Sequence, residues 1–167
     1  PHARDKVLSA YIDLLVEGER GATVDAVAAR AGVSKGGVLY HFPSKDALAE
    51  AVLERFIEVS AADSTAMGSA TEGASRHFVR TSWQADHELD PIYRAALRLA
   101  QAGHEAAIAA LEELHRTWLS LIEAEVGDVT VAQTIMLIGD GLYHQASMPG
   151  LWSQRTFADN LPDLLTQ

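Results

Sequence analysis

The chain has 167 residues, 48% of them hydrophobic, a formal net charge of −10 and no cysteine. That apolar content is enough for the core of one domain or two small ones and excludes a disordered chain, while the lack of cysteine excludes a disulfide framework and thiolate chemistry. No apolar run nears the roughly 18 residues of a membrane span and nothing at the start resembles a cleavable signal, so a cytoplasmic protein is expected.

In chain order, the first predicted helix covers residues 4–17, with Val7, Leu8, Tyr11, Ile12, Leu14 and Leu15 at helical spacing and Gly18 and Gly21 marking its end. Thr23 is placed to cap a second helix, 24–31, whose apolar positions Val24, Val27, Ala28 and Ala31 define an inward face. Gly32 can take a left-handed backbone at low cost, so the chain turns sharply there, with Val33 as a plug. Ser34 caps a third short helix, 35–42, and Pro43 prevents it from running on.

On this third helix Val38, Leu39 and Phe42 read as apolar anchors. Lys35, Gly36, Gly37, Tyr40 and His41 leave a face that is cationic, hydrogen-bonding or bare backbone. Each glycine costs about 1 kcal/mol relative to alanine inside a helix, so the Gly36-Gly37 pair calls for a compensating close approach. Ser44 then caps a fourth helix, and Lys45 stands beside its N-terminus, where backbone N–H groups favour a phosphate. Between Arg30 and Lys45 the chain carries three basic residues and no acid. Two short helices joined by a tight turn, with this outer face, read as a helix-turn-helix suited to DNA.

The net charge does not oppose that reading. Residues 1–50 carry six Lys and Arg against seven Asp and Glu, which leaves seven basic and sixteen acidic residues for the remainder. An acidic body can limit nonspecific adhesion while a local basic patch neutralises phosphates.

The run Leu-Tyr-His-Phe-Pro-Ser-Lys-Asp (39–46), preceded by Thr-Val-Asp-Ala-Val-Ala-Ala-Arg-Ala-Gly-Val-Ser-Lys-Gly (23–36), carries a specific resemblance. Residues 4–55 resemble the DNA-binding domain of the TetR family of bacterial transcriptional regulators. The resemblance implies that Thr23, Ser34, Tyr40, His41 and Lys45 touch phosphates and that Lys35, Gly36 and Gly37 lie near base edges. Leu39 departs from the aromatic or polar residue many relatives carry there, which makes it a candidate for the core. Because the chain begins at Pro1 rather than methionine, there is room for a basic arm ahead of it.

Further along, helical periodicity predicts a connecting helix over 44–60 with Ala47, Leu48, Ala51, Val52 and Phe56 on one side, then a looser Ser, Thr, Ala and Gly stretch over 60–70. Caps and breakers place further helices over 72–84, 91–102, 105–126, 129–147 and 156–165. The fold class expected is all-α: an N-terminal three-helix helix-turn-helix domain, residues 1–50, and a C-terminal helical bundle for effector binding and dimerisation, residues 51–167.

The resemblance implies a homodimer and a small-molecule effector for that bundle. A physical argument also favours a dimer, because two recognition helices reading half-sites one DNA turn apart gain affinity and sequence information together. Val131, Ile135, Ile138, Gly139, Leu142 and Tyr143 form an apolar stripe for a partner helix, completed by Leu161, Leu164 and Leu165; the stripe alone fits internal core equally well. Phe78, Trp83, Tyr93, Trp118, Met136, Tyr143 and Trp152 are candidates for an apolar effector cavity, with Asp86, Glu88 and Asp140 as possible selectors of a cationic or hydroxylated ligand.

No nucleophile motif, phosphate-cradling glycine loop or paired acid signature points to an enzyme, and no cofactor is implied. A metal-responsive regulator is one alternative, through His77, His87, His104, His115 and His144, but no two of these lie three or four residues apart. A helical protein-interaction module is the other. The function expected is a homodimeric repressor of double-stranded operator DNA, released by a small, largely apolar or aromatic molecule.

Overall fold

Local causes account for the helix ends in the first third of the chain. The computed structural model describes residues 2–18, 21–84, 89–147, 156 and 163. After α1 (Ala3–Glu17), α2 (Val24–Ala31) opens at Thr23, whose Oγ1 accepts the Ala26 N–H at 3.1 Å. It closes at Gly32, which is left-handed at φ 69°, so that the Gly32 and Val33 N–H groups return to the carbonyls of Ala29 and Ala28. Ser34 Oγ accepts the Gly37 N–H at 3.0 Å and starts α3 (Lys35–His41). Phe42 is extended at φ −138°, as the residue before a proline should be. Ser44 Oγ accepts the Ala47 N–H at 3.0 Å at the start of α4 (Lys45–Gly68).

α5 (Ala74–Trp83), α6 (Leu89–Gln101), α7 (Glu105–Val126) and α8 (Val129–Ser147) follow, and the regular elements among the described residues are eight α-helices with no strand, the all-α class expected. α7 and α8 match their expected spans. Two other expectations need adjustment at their edges. α5 begins after Gly73, which is left-handed at φ 90°, and α6 begins ahead of Pro91, whose missing N–H is harmless in a first turn. The helix expected over 156–165 lies outside the described residues, apart from Thr156 and Asp163.

The stretch 60–70 is a correction. It is not loose: α4 runs on to Gly68. Its many alanines are the best helix formers, its serines and threonines cost only a few tenths of a kcal/mol each, and Met67, 1% exposed, anchors the last turn.

The chain divides into two compact units, Pro1–Ala61 with Glu88–Glu113, and Ala62–His87 with Leu114–Gln167. In the first, α1 packs on α2, α3 and α6. Val7, Tyr11, Leu15, Val27, Val38, Phe42, Leu48, Val52 and Phe56 are buried there, as are Ile92, Ala95, Ala96 and Leu99 of α6. Arg30 ties the end of α2 to the end of α1 through a two-pronged pair with Glu17, 3.0 and 2.9 Å, which holds the Glu17 carboxyl below its usual range.

In the second unit α5 packs on α8. A Cβ built on Gly139 of α8 would overlap the Phe78 ring of α5, so this crossing depends on the absence of a side chain. Phe78 also meets Trp118 of α7 with ring centroids 5.4 Å apart. Gly73 offers α5 no side-chain cap, and Glu125 of α7 supplies one: its Oε2 accepts from the Ser75 N–H at 2.7 Å and the Ser75 hydroxyl at 2.8 Å.

Candidate nucleic-acid interface

The helix-turn-helix presents polar and aromatic groups outward because its apolar ones are used up within. Val38 and Phe42, one helical turn apart, are 0% and 3% exposed and fix which side of α3 faces the core. Leu39 sits about 100° around the helix from Val38 and is exposed, which corrects the expectation that it belongs to the core. Tyr40, beside it, is 84% exposed, and its ring meets the half-buried His41 edge-on, centroids 5.1 Å apart. Thr23, Ser34, Lys35, Gly36 and Lys45 are all exposed, and Gly37 is half-buried.

Thr23 and Ser34 use their hydroxyls as caps, so the two positions set the geometry of the turn whatever else they touch. Beyond Ser34, an added Cβ would meet no neighbour at Gly36, and at Gly37 it would sit in ordinary contact with Ser34 and Val33. Neither glycine is required by packing inside the chain.

The electrostatics differ from the linear count. Arg30 is paired with Glu17, and Lys35 Nζ lies 3.0 Å from Asp25 Oδ2 in the first turn of α2. Counting acids only between residues 30 and 45 overlooked both partners, which arrive from the neighbouring helices. Asp25 stands in the first turn of α2, and nothing in its sequence spacing specifies a pairing across the turn.

The residues proposed for an effector do not all meet. Phe78 and Trp118 are buried and in contact, and the His115 ring meets Trp118 at a 58° tilt with centroids 5.4 Å apart. Trp118 Nε1 donates to Asp63 Oδ2 at 2.9 Å, a link that sequence spacing did not suggest. Trp83, Met136 and Tyr143 are half-buried in the same unit. Tyr93 belongs to the first unit, where it packs on Phe56 with centroids 6.4 Å apart. Asp140 lies on the exposed side of α8, yet partial burial of its carboxyl pushes its pKa up, opposed by His115. An open groove of about 550 Å³ in the first unit is lined by Leu14, Glu17, Gly18, Gly21, Arg98, Gln101 and Ala102, none of them a predicted pocket residue. Trp152, Asp86, Glu88 and His87 lie outside the described residues, among which no group of three or more His, Asp or Glu is placed to hold a metal ion.

The α8 stripe divides in two. Leu142 and Gly139 are buried within the chain, so they belong to internal packing, and Ile135 and Tyr143 are half-buried. Val131 and Ile138 are exposed, as is Leu137 at 72%, a residue outside the predicted stripe. Leu161, Leu164 and Leu165 lie outside the described residues. No helix among the described residues is long and apolar enough to cross a membrane.

Residues 13–52 match the family model of the bacterial regulatory proteins, tetR family. Over 54 residues the chain is 43% identical to the HTH-type transcriptional regulator RutR of Escherichia coli (strain K12), a match covering 32% of this chain and about a quarter (26%) of RutR. Among solved structures, a member of the TetR family (SCO1917) from Streptomyces coelicolor A3 superposes with a TM-score of 0.62 at 22% identity, covering 99% of this chain and 97% of that one. The multidrug binding protein EbrR complexed with imidazole gives 0.61 at 22%, covering 99% and 94%. At these identities the likeness speaks for the fold over the whole length, and the family match for the helix-turn-helix. Residues 13–52 thus carry the helix-turn-helix of the tetR family of bacterial regulatory proteins, on a chain whose whole length shares the fold of these structures.

Proposed function

We propose that the protein is a DNA-binding transcriptional regulator that acts as a homodimeric repressor and leaves its operator when a small molecule binds. The observation that carries this reading is the outer face of α3. A tyrosine 84% exposed beside a histidine and two glycines, on a helix opened by the Ser34 cap, contributes little to the fold and suits a grooved polyanion. In this reading α3 enters the major groove. Thr23, Ser34, Tyr40, His41 and Lys45 contact phosphates, Gly36 and Gly37 let the backbone approach base edges, and Lys35 stands at the same edge. Residues 1–50 act as the DNA-binding domain and 51–167 as the effector and dimer domain.

Two copies pair through the outward side of α8, where Val131, Leu137 and Ile138 leave apolar area in water. The effector is a small, largely apolar or aromatic molecule received near Phe78, Trp118 and their neighbours; EbrR, of similar fold, was solved with imidazole. Such a ligand acts only if it binds the DNA-competent and DNA-incompetent states unequally. α4, whose residues fall in both compact units, is the element whose tilt would set the distance between the two recognition helices.

The test is binding of the purified protein to the duplex upstream of its own gene at two salt concentrations. Tight, salt-sensitive, sequence-selective binding as a dimer is expected, and Tyr40→Ala or Lys45→Ala should weaken binding to every sequence and lower the salt dependence by about one charge for the lysine. Unchanged affinity in both variants would remove the contact assignment.

A further inference from the structure

Asp25 is an unexpected residue on a face meant for phosphates. It lies two positions after the cap Thr23, so its carboxylate stands at the N-terminus of α2. That end carries partial positive charge and N–H groups without intrahelical acceptors, which favours Asp25 in the free protein and favours a phosphate in a complex. Both anions are drawn to one helix end. A bare Asp25 carboxylate would therefore oppose the phosphate proposed at Thr23.

Lys35 resolves the conflict. Its Nζ lies 3.0 Å from Asp25 Oδ2, with the two side chains 58% and 72% exposed. The contact joins the first turn of α2 to the first residue of α3 across the Gly32 turn. We infer that Lys35 is a positioning residue whose task is to neutralise Asp25 at the phosphate-facing end of α2, and that it does not read a base. This inference rests on the DNA-binding reading above and revises one part of it: Lys35 leaves the base edge, and sequence preference lies with the Gly36-Gly37 backbone and its neighbours. Lys35 and Asp25 together would act as a charge-neutral unit that lets α2 accept a phosphate.

The two roles separate in a double-mutant cycle. A base-reading or phosphate-gripping lysine contributes its own contact, so its loss costs the same with or without Asp25. A neutralising lysine matters only while there is a carboxylate to neutralise. The measurement is affinity of the full chain for a duplex enriched by the native protein from a random-sequence library, and for a scrambled duplex of equal length. Native, Asp25→Asn, Lys35→Ala and double-variant proteins are compared at two salt concentrations, and thermal unfolding establishes that each is folded.

With the pair acting as a unit, Lys35→Ala weakens binding by about threefold to fivefold, as expected of one exposed charge pair, and by the same factor on both duplexes. In the Asp25→Asn background the same substitution costs less than about twofold, and the ranking of duplexes is unchanged. An equal cost in both backgrounds, or a cost confined to the enriched duplex, overturns the inference while leaving the DNA-binding reading standing. A native protein that retains no duplex from the library overturns both.

Discussion

The helix-turn-helix and the second compact unit are built on opposite plans. In the first, the contacts that set the helix ends and the turn are short in sequence: Thr23 caps three residues on, Ser34 does the same, and Gly32 turns the chain where α2 stops. In the second, the decisive contacts join distant segments, Phe78 with Gly139, Asp63 with Trp118, Glu125 with Ser75. Local caps leave outer surfaces free for a partner because they are satisfied within the turn they close. Distant plans consume surface, as the burial of Gly139 and Leu142 within the chain illustrates.

The largest effect expected from this contrast is at Phe78. Phe78→Ala should lower stability by about 3–5 kcal/mol in denaturant unfolding, the usual cost of emptying a buried aromatic site. Gly139→Ala should cost about 1–3 kcal/mol through overpacking, and much less in a Phe78→Leu background, where the ring is gone. Equal costs for Gly139→Ala in both backgrounds would mean that the two residues are not one packing unit.

A smaller effect divides capping from contact in the first region. Ser34→Asp keeps an acceptor for the Gly37 N–H and should leave stability within about 0.5 kcal/mol of native. The same change places a negative charge at the proposed phosphate face and should weaken duplex binding about tenfold or more. Loss of stability together with binding would show the position to be a cap alone.

The smallest concerns pH. The Arg80 guanidinium holds the Glu72 carboxyl below its ordinary value of 4.5, through a hydrogen bond first and charge second. A depressed native pKa stabilises the fold fully above the unfolded value, and the contribution fades as pH falls through the native one. Glu72→Gln should therefore cost about 0.5 kcal/mol at neutral pH, solvent screening included, and the difference from native should vanish in acid. A difference that persists in acid would point to packing rather than charge.

This division also explains what could be read from the sequence. Caps, the Gly32 turn and the Pro43 stop act within four residues, so α2 and α3 were legible almost to the residue. α7 and α8 were equally legible from Gly127 and from Asp128, whose Oδ1 accepts the Thr130 and Val131 N–H groups. The continuation of α4 past Ser60 was not, because side chains such as Met67 decide it through what they bury. The pairing of Lys35 with Asp25 escaped for a different reason: the two lie ten residues apart on helices whose crossing no periodicity specifies. Leu39 and Leu137 show the same limit from outside, since an apolar letter does not say which way it faces until the neighbouring helices are placed.

The borrowed cap on α5 has a consequence for the order of folding. A ten-residue helix with glycine at its N-cap is marginal by itself, and the carboxylate that completes its first turn comes from Glu125, fifty positions later in the chain. The completed cap of α5 therefore requires the chain to have closed a long loop onto the end of α7. During synthesis from the N-terminus, the helix-turn-helix can reach its local geometry while α5 is still waiting for its last hydrogen bonds.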